Sequence, residues 1–172
     1  MKRKIITFCI IIICFLLQST VFSKLMFASI RPNLMIIVTS SFGFMRGKKT
    51  GMIVGFFSGT MVDIFWGNVL GFYALIFTVF GYLNGCFKRL FYDEDIKLPL
   101  VLIAGSELAY GLIVYFCFFL MQGDFRFSYY LVHIILPELV YTILVTLILY
   151  QIILYINRKL ETEEQRSASR FV

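Results

Sequence analysis

The stretch that decides the fold reads GKKTGMIVGFFSGTMVDIFWGNVLG over residues 47–71, and GYLNG follows at residues 81–85. Glycine recurs at every fourth position of this stretch, and the same step then reaches an aspartate and a further glycine. The full set is Gly47, Gly51, Gly55, Gly59, Asp63 and Gly67. Residues four apart lie above one another on a helix, so this face carries almost no side-chain bulk. The pattern predicts a groove for close packing against another helix, as in GxxxG contacts between membrane helices.

The composition indicates a membrane protein, since 60% of the 172 residues are hydrophobic and 18% are aromatic. The mean hydropathy is +0.87, whereas a soluble domain of this length has a more polar surface. Six apolar segments predict membrane helices at residues 5–22, 32–45, 50–65, 69–87, 99–121 and 130–156. We therefore predict an all-α integral membrane protein with six transmembrane helices. Its membrane domain covers residues 1–157, and residues 158–172 form a polar cytoplasmic tail in which residues 160–165 are a candidate extension of the last helix.

The basic residues predict the orientation of these helices. The net charge is +6, but the basic residues cluster between the apolar segments rather than on a nucleic-acid-binding surface. With both termini in the cytoplasm, all but three of the 16 basic residues lie on the cytoplasmic side, the exceptions being Lys24, Arg31 and Arg126. Cytoplasmic loops of membrane proteins carry this excess of Lys and Arg. We predict that both termini are cytoplasmic and that no nucleic acid binds.

Several ionisable residues fall inside the predicted helices, where charge is costly and is usually turned toward the bundle interior or a water-filled cavity. One interpretation is an outward-opening polar pocket formed by Arg31, Asn33, Asp63, Glu107, His133 and Glu138. The alternative is that each carboxyl group is protonated or hydrogen-bonded locally and serves helix packing. This alternative is favoured for Glu138, because the preceding proline frees a backbone carbonyl that needs a donor.

Catalytic motifs are sparse. The chain has one histidine and contains no HExxH, GxSxG or CxxC sequence. Its four cysteines lie in or at the ends of apolar segments, which is typical of small buried hydrophobic residues. The sequence thus predicts a protein that is not an enzyme and that uses no cofactor or metal.

An ordered set of motifs carries a family resemblance. LQSTVF ends the first apolar segment and RPNLM opens the second. RGxxxGxxxGFxxGxxxD, LGxxxL and GYLNG then follow in this order. Together with the length and the six apolar segments, this set resembles the MreD family of bacterial rod shape-determining proteins. The positions that match the family pattern are Pro32, Asn33, Gly51, Gly55, Gly59, Asp63, Gly71, Gly81 and Gly85.

The resemblance implies a multi-pass scaffold in the bacterial cytoplasmic (inner) membrane. Such a protein binds MreC, a single-span protein, and helps to couple MreB filaments to the peptidoglycan synthases of cell elongation. The resemblance also implies a fold similar to the S-components of energy-coupling-factor transporters. A substrate-binding subunit of a vitamin-type transporter is therefore the alternative function, and self-association into a homo-oligomer stays open. The first helix lacks the alanines with which such subunits often dock their transport partner, which disfavours the transporter.

Overall fold

The computed structural model describes residues 2–24, 30–67, 69–90, 96–120 and 127–168, which form six helical segments. The first four are α1 (Lys2–Lys24), α2 (Leu34–Arg46), α3 (Lys48–Trp66) and α4 (Phe72–Cys86), and a 3-10 turn at Phe87–Leu90 extends α4. The fifth is α5 (Lys97–Val114), which continues into a π-helix at Tyr115–Leu120. The last consists of α6 (Phe127–Tyr130), a π-helix at Leu131–Ile135 and α7 (Leu136–Ala168). In number and order, the described segments agree with the six predicted apolar segments.

Two helices begin later than predicted, for reasons of capping. The second begins at Leu34, because the side-chain Oδ1 of Asn33 accepts the backbone N–H of Ile36 (3.3 Å) and so caps the helix. The fourth begins at Phe72, because the preceding Gly71 has a φ of +93° and breaks the helical path. That left-handed conformation suits glycine, which has no Cβ.

The last helix runs past its predicted end near residue 156 and through the candidate extension at residues 160–165, since α7 continues to Ala168. Asn157 and Leu160 on this extension are buried. Glu161 Oε1 also lies 3.7 Å from Arg3 Nη2, across the bundle on α1. The part of the predicted tail up to residue 168 is therefore helical. Residues 169–172 of that tail and Arg126 lie outside the described residues.

The helices are those of a membrane protein. Three described segments are long and apolar enough to cross a bilayer by length and composition: Arg3–Phe22, Lys97–Cys117 and Phe127–Glu163. Helix α2 is shorter and also apolar, and every residue from Leu34 to Met45 is buried. A helix that is apolar on all sides belongs in the core, and α2 is accordingly the central helix of this bundle.

The glycines of α3 bring its backbone against the backbone of α4. The two helices run antiparallel, with Gly51 opposite Gly81 and Gly55 opposite Phe77. A Cβ atom added at Gly51 or Gly55 would lie 2.2 Å from the carbonyl oxygen of the facing residue. Real Cβ atoms essentially never come within 3.0 Å of another heavy atom in this way. At Gly59 the added atom would lie 2.4 Å from the Cα of Ala74, so the contact continues along α3 from Gly51 to Gly59.

Helix α2 joins this contact at one point. A Cβ atom at Gly43 would lie 2.7 Å from the carbonyl oxygen of Gly81, and one at Gly51 would lie 2.8 Å from the Cα of Gly43. One glycine from each of α2, α3 and α4 therefore meets the other two. Because the facing atoms belong to backbones, an extra methyl group here moves a whole helix rather than a side chain.

We predict that Gly55→Ala lowers the stability of the protein strongly, whereas Gly105→Ala does not. The alanine at position 55 meets the backbone of α4, and overpacking of this kind costs about 2–3 kcal/mol. Gly105 is a matched control, because it also lies inside a helix but has no atom within 4 Å of its added Cβ. Thermal unfolding of both purified variants in the same detergent measures the difference. Equal midpoints for the two variants would contradict the close contact.

Candidate functional site

The structure separates the predicted groove residues into two groups. Gly51, Gly55 and Gly59 lie within α3 and face α4. Gly47 and Gly67 lie just outside the two ends of α3. Gly47 joins α2 to α3 with a φ of +93°, which favours glycine, whereas Gly67 has an ordinary extended backbone. The space along the α3 glycines is filled by α4 of the same chain.

Asp63, which continues the glycine step, caps the first turn of α4. Its Oδ2 accepts the backbone N–H groups of Gly71 (3.1 Å) and Ala74 (2.9 Å). Its Oδ1 accepts the N–H of Tyr73 (2.9 Å). The residue at the N-cap position of α4 is Gly71, which has no side chain to do this. The carboxylate of α3 therefore takes over a role that a helix normally assigns to its own N-cap residue.

Hydrogen bonds and the dipole of α4 both stabilise this cap. Asp63 is only 3% exposed, so its charge depends on the chain for stabilisation. Three backbone donors provide charge-assisted hydrogen bonds, and the positive end of the α4 dipole adds to them. The interaction fixes the end of α4 against α3 at the place where the glycine contact ends. Asp63 is thereby a positioning residue for the turn between the two helices.

A small polar cavity lies at the same end of the bundle, which we call the Trp66 end. The cavity has a volume of about 160 Å³. Arg31, Asn33 and Glu138 line it, together with residues from α1, α3, α4 and α5: Gln18, Val62, Trp66, Tyr73, Phe77 and Tyr110. The Arg31 guanidinium lies 5.5 Å from the centroid of the Trp66 ring and attracts the Glu138 carboxyl group electrostatically. Three of the six predicted pocket residues thus share one cavity.

Glu107 is connected to this cavity through Asn33. The Glu107 side chain interacts with the side chains of Asn33 and Thr142. Its Oε2 is fully buried and has no hydrogen-bond partner among the described residues. The Thr142 hydroxyl also accepts the backbone N–H of Asn33 (3.1 Å), so this residue ties the start of α2 to α7. The group stabilises the junction of α2, α5 and α7.

The other two predicted pocket residues do not line the cavity. Asp63 is bonded to the start of α4, as described above. His133 is exposed, and its ring stacks on Tyr129 with centroids 4.3 Å apart. The His133 Nδ1 lies 3.1 Å from the Tyr129 carbonyl oxygen, within its own helix.

Sequence reasoning missed a buried polar contact at the middle of the bundle. Asn84 of the GYLNG motif donates from Nδ2 to Ser40 Oγ (3.2 Å) and Ser106 Oγ (2.8 Å). All three residues are buried, and they lie on α4, α2 and α5. An asparagine between two glycines inside an apolar segment was the available signal, because a buried amide needs partners on neighbouring helices.

Arg46 was interpreted from the sequence as one of the charges that fix topology, and its side chain also holds three helices together. Its Nε donates to Asn157 Oδ1 on α7 (2.7 Å), and its Nη1 donates to Thr7 Oγ1 on α1 (3.1 Å). The guanidinium lies 5.0 Å from the centroid of the Phe42 ring on its own helix. This contact defines the opposite end of the bundle, which we call the Arg46 end.

Comparison with known protein families identifies the chain. The family model described as rod shape-determining protein MreD matches residues 2–160. The chain belongs to the MreD family. No curated protein and no solved structure matches it. Membership in the MreD family gives the chain a role in rod shape determination, and it agrees with the apolar helices in indicating a membrane protein.

We predict that Asp63→Asn destabilises this MreD-family chain by about 2–3 kcal/mol, because one carboxylate oxygen becomes an N–H₂ group that faces backbone donors. Thr60→Val is the control on the same helix, since the Thr60 hydroxyl donates to the Phe56 carbonyl within α3. The measurement is the thermal unfolding midpoint in detergent. A midpoint for Asp63→Asn equal to that of the control would argue against the cap.

Proposed function

We propose that this chain is a non-catalytic scaffold of the cell-elongation complex in the bacterial cytoplasmic membrane. In this proposal it binds the membrane helix of a single-span MreC-like protein. That protein in turn links MreB-type filaments to the peptidoglycan synthases outside. The MreD family match is the observation that carries the proposal. The geometry supports the proposal because polar groups in the interior, such as Asp63, are bonded to other parts of the same chain.

The interior of the bundle favours a structural role. The glycine face of α3 is occupied by α4, and Asp63 is bonded to three backbone N–H groups. The polar cavity of about 160 Å³ is smaller than ordinary small-molecule sites, which measure about 300–1,000 Å³. A vitamin-type transporter subunit binds its substrate in an outward-facing pocket, so the small size of the cavity at the Trp66 end favours the scaffold. A partner helix then meets the apolar outer surface of the bundle, which includes Ile148 on α7 and Val101 on α5.

The proposed orientation has the Arg46 end in the cytoplasm, so that all six helical segments cross the membrane. Arg3, Lys4 and Lys88 lie with Arg46 at this end and line one groove. Trp66 marks the opposite end, where an amphipathic ring suits the membrane–water interface. The excess of positive charge at the Arg46 end is the pattern of a cytoplasmic face.

Cysteine labelling tests this orientation. In a variant with its own four cysteines replaced, we expect Leu70→Cys to react with a membrane-impermeant maleimide in intact spheroplasts. Leu70 is 79% exposed and lies in the turn at the Trp66 end. Arg89→Cys, at the Arg46 end, should react only after the membrane is opened with detergent. The reverse order of labelling would overturn the proposed orientation, and labelling of both before lysis would overturn the six-span topology.

Affinity purification tests the scaffold function. We expect the tagged chain, extracted in mild detergent, to bring down a single-span wall-elongation protein in near-equal amount. A photoreactive residue at position 148 or 101 tests the outer faces of α7 and α5, and at least one of these should cross-link to that partner. Gly55→Leu should abolish the complex because it separates α3 from α4, whereas Met52→Leu, at an exposed position of the same helix, should leave the complex intact.

Two outcomes would contradict the scaffold. Recovery of an ATPase pair with its transmembrane coupling subunit would favour the transporter subunit instead. An undiminished amount of partner with Gly55→Leu would remove the packed bundle as the basis of binding.

A further inference from the structure

A second, much larger recess lies at the Arg46 end of the bundle, away from the polar cavity. It is a groove of about 940 Å³ between α1 and α3, which we call the α1–α3 groove. Met45 and Arg46 of α2 contribute to its lining, as do Lys88 after α4 and Glu161 of α7. The volume is at the upper end of the range for binding sites of small molecules.

The mouth of the α1–α3 groove is positively charged. Of the described residues that line it, four are basic and one, Glu161, is acidic. The basic residues are Arg3, Lys4, Arg46 and Lys88. They come from two helices and the turn after α4, so the fold concentrates charges that are far apart in the sequence. An excess of three positive charges around one opening attracts an anion.

The cations at the mouth differ in how firmly they are held. Arg46 is fixed by its bonds to Asn157 and Thr7, so its guanidinium is already oriented. Arg3 lies close to Glu161. Lys4 and Lys88 are exposed, and the Lys88 stem lies across Gly47, where an added Cβ would approach its Cδ to 2.9 Å. A fixed arginine beside exposed lysines suits a phosphate group, which accepts several charge-assisted hydrogen bonds.

The walls below this mouth are apolar. They are lined by Phe8 and Ile11 of α1 and by Ile53, Val54 and Phe57 of α3. The rings of Phe8 and Phe57 meet edge to face across the two helices, with centroids 5.8 Å apart. Ile53 is 58% exposed, so this wall is open to whatever occupies the groove. The groove therefore combines a positively charged mouth with an apolar interior.

We propose that the α1–α3 groove binds one anionic phospholipid, with its phosphate among the four cations and an acyl chain between α1 and α3. Basic recesses between membrane helices on the cytoplasmic side bind anionic headgroups for this reason. The charge complementarity at the mouth and the apolar walls together match an amphiphile with a negative head. The lipid fills the space between α1 and α3, and it thereby joins α1 to the rest of the bundle. This site is separate from the proposed contact with a single-span partner.

Native mass spectrometry of the full chain in detergent tests the site, with phosphatidylglycerol and phosphatidylethanolamine of identical acyl chains as the probes. We expect one phosphatidylglycerol to stay bound in preference to phosphatidylethanolamine. Lys4→Gln combined with Lys88→Gln should weaken retention of phosphatidylglycerol at least about tenfold, because two headgroup-facing charges are lost. The control is Lys49→Gln combined with Arg89→Gln, which removes the same charge from exposed residues of the same end that do not line the groove.

Two further measurements separate a lipid from other occupants. Ile53→Trp keeps all four cations but fills the apolar wall, so it should also reduce retention of phosphatidylglycerol. Excess glycerol phosphate, which has the headgroup charge without acyl chains, should not displace the lipid.

Equal retention of the two lipids, or an equal loss in the two double variants, would overturn the proposal. Loss of a single-span partner from Lys4→Gln/Lys88→Gln with unchanged lipid retention would assign the groove to that partner instead.

Discussion

Contact between the backbones of α3 and α4 is the constraint on which the rest of the bundle depends. Because the facing atoms are carbonyl oxygens and Cα atoms, the distance between the helices is set by the absence of side chains at Gly51, Gly55 and Gly59. This distance brings the Asp63 carboxylate under the first turn of α4. It also lets Gly43 bring the buried helix α2 into the same junction. The polar cavity and the α1–α3 groove then lie at opposite ends of this packed unit.

The glycine period and the apolar segments were sufficient to predict six helices and a close-packed face on the third, because both are periodic signals within one segment. They did not identify the helix that fills that face. A stripe of glycines indicates that a neighbour comes close, but the contact of Gly51 with both Gly81 and Gly43 arises from the tertiary arrangement. The same holds for the longer α7, where burial of Leu160 against the bundle extends a helix beyond its apolar segment.

The polar residues were harder to place, since their partners lie on other helices. Arg31, Asn33 and Glu138 share a cavity, whereas Asp63 and His133 were grouped with them because ionisable residues inside membrane helices usually face the bundle interior or a cavity. The charge of a residue restricts how deep it can lie in a membrane, but it does not determine which neighbouring helix the side chain faces. Arg46 is a second example. It was interpreted from the sequence as one of the charges that set the orientation, and its side chain also turns inward to donate hydrogen bonds to α1 and α7.

The Asp63 cap has a consequence for how the chain enters the membrane. Helix α3 has 19 residues, yet it is not among the described helices apolar enough to cross a bilayer by themselves. An uncompensated carboxylate deep in a membrane helix costs about 2.5–3.5 kcal/mol on insertion scales. The donors that compensate Asp63 belong to the start of α4, which the ribosome makes later. We therefore expect α3 and α4 to enter a membrane together as a hairpin, because the Asp63 carboxylate is compensated only when the start of α4 is in place.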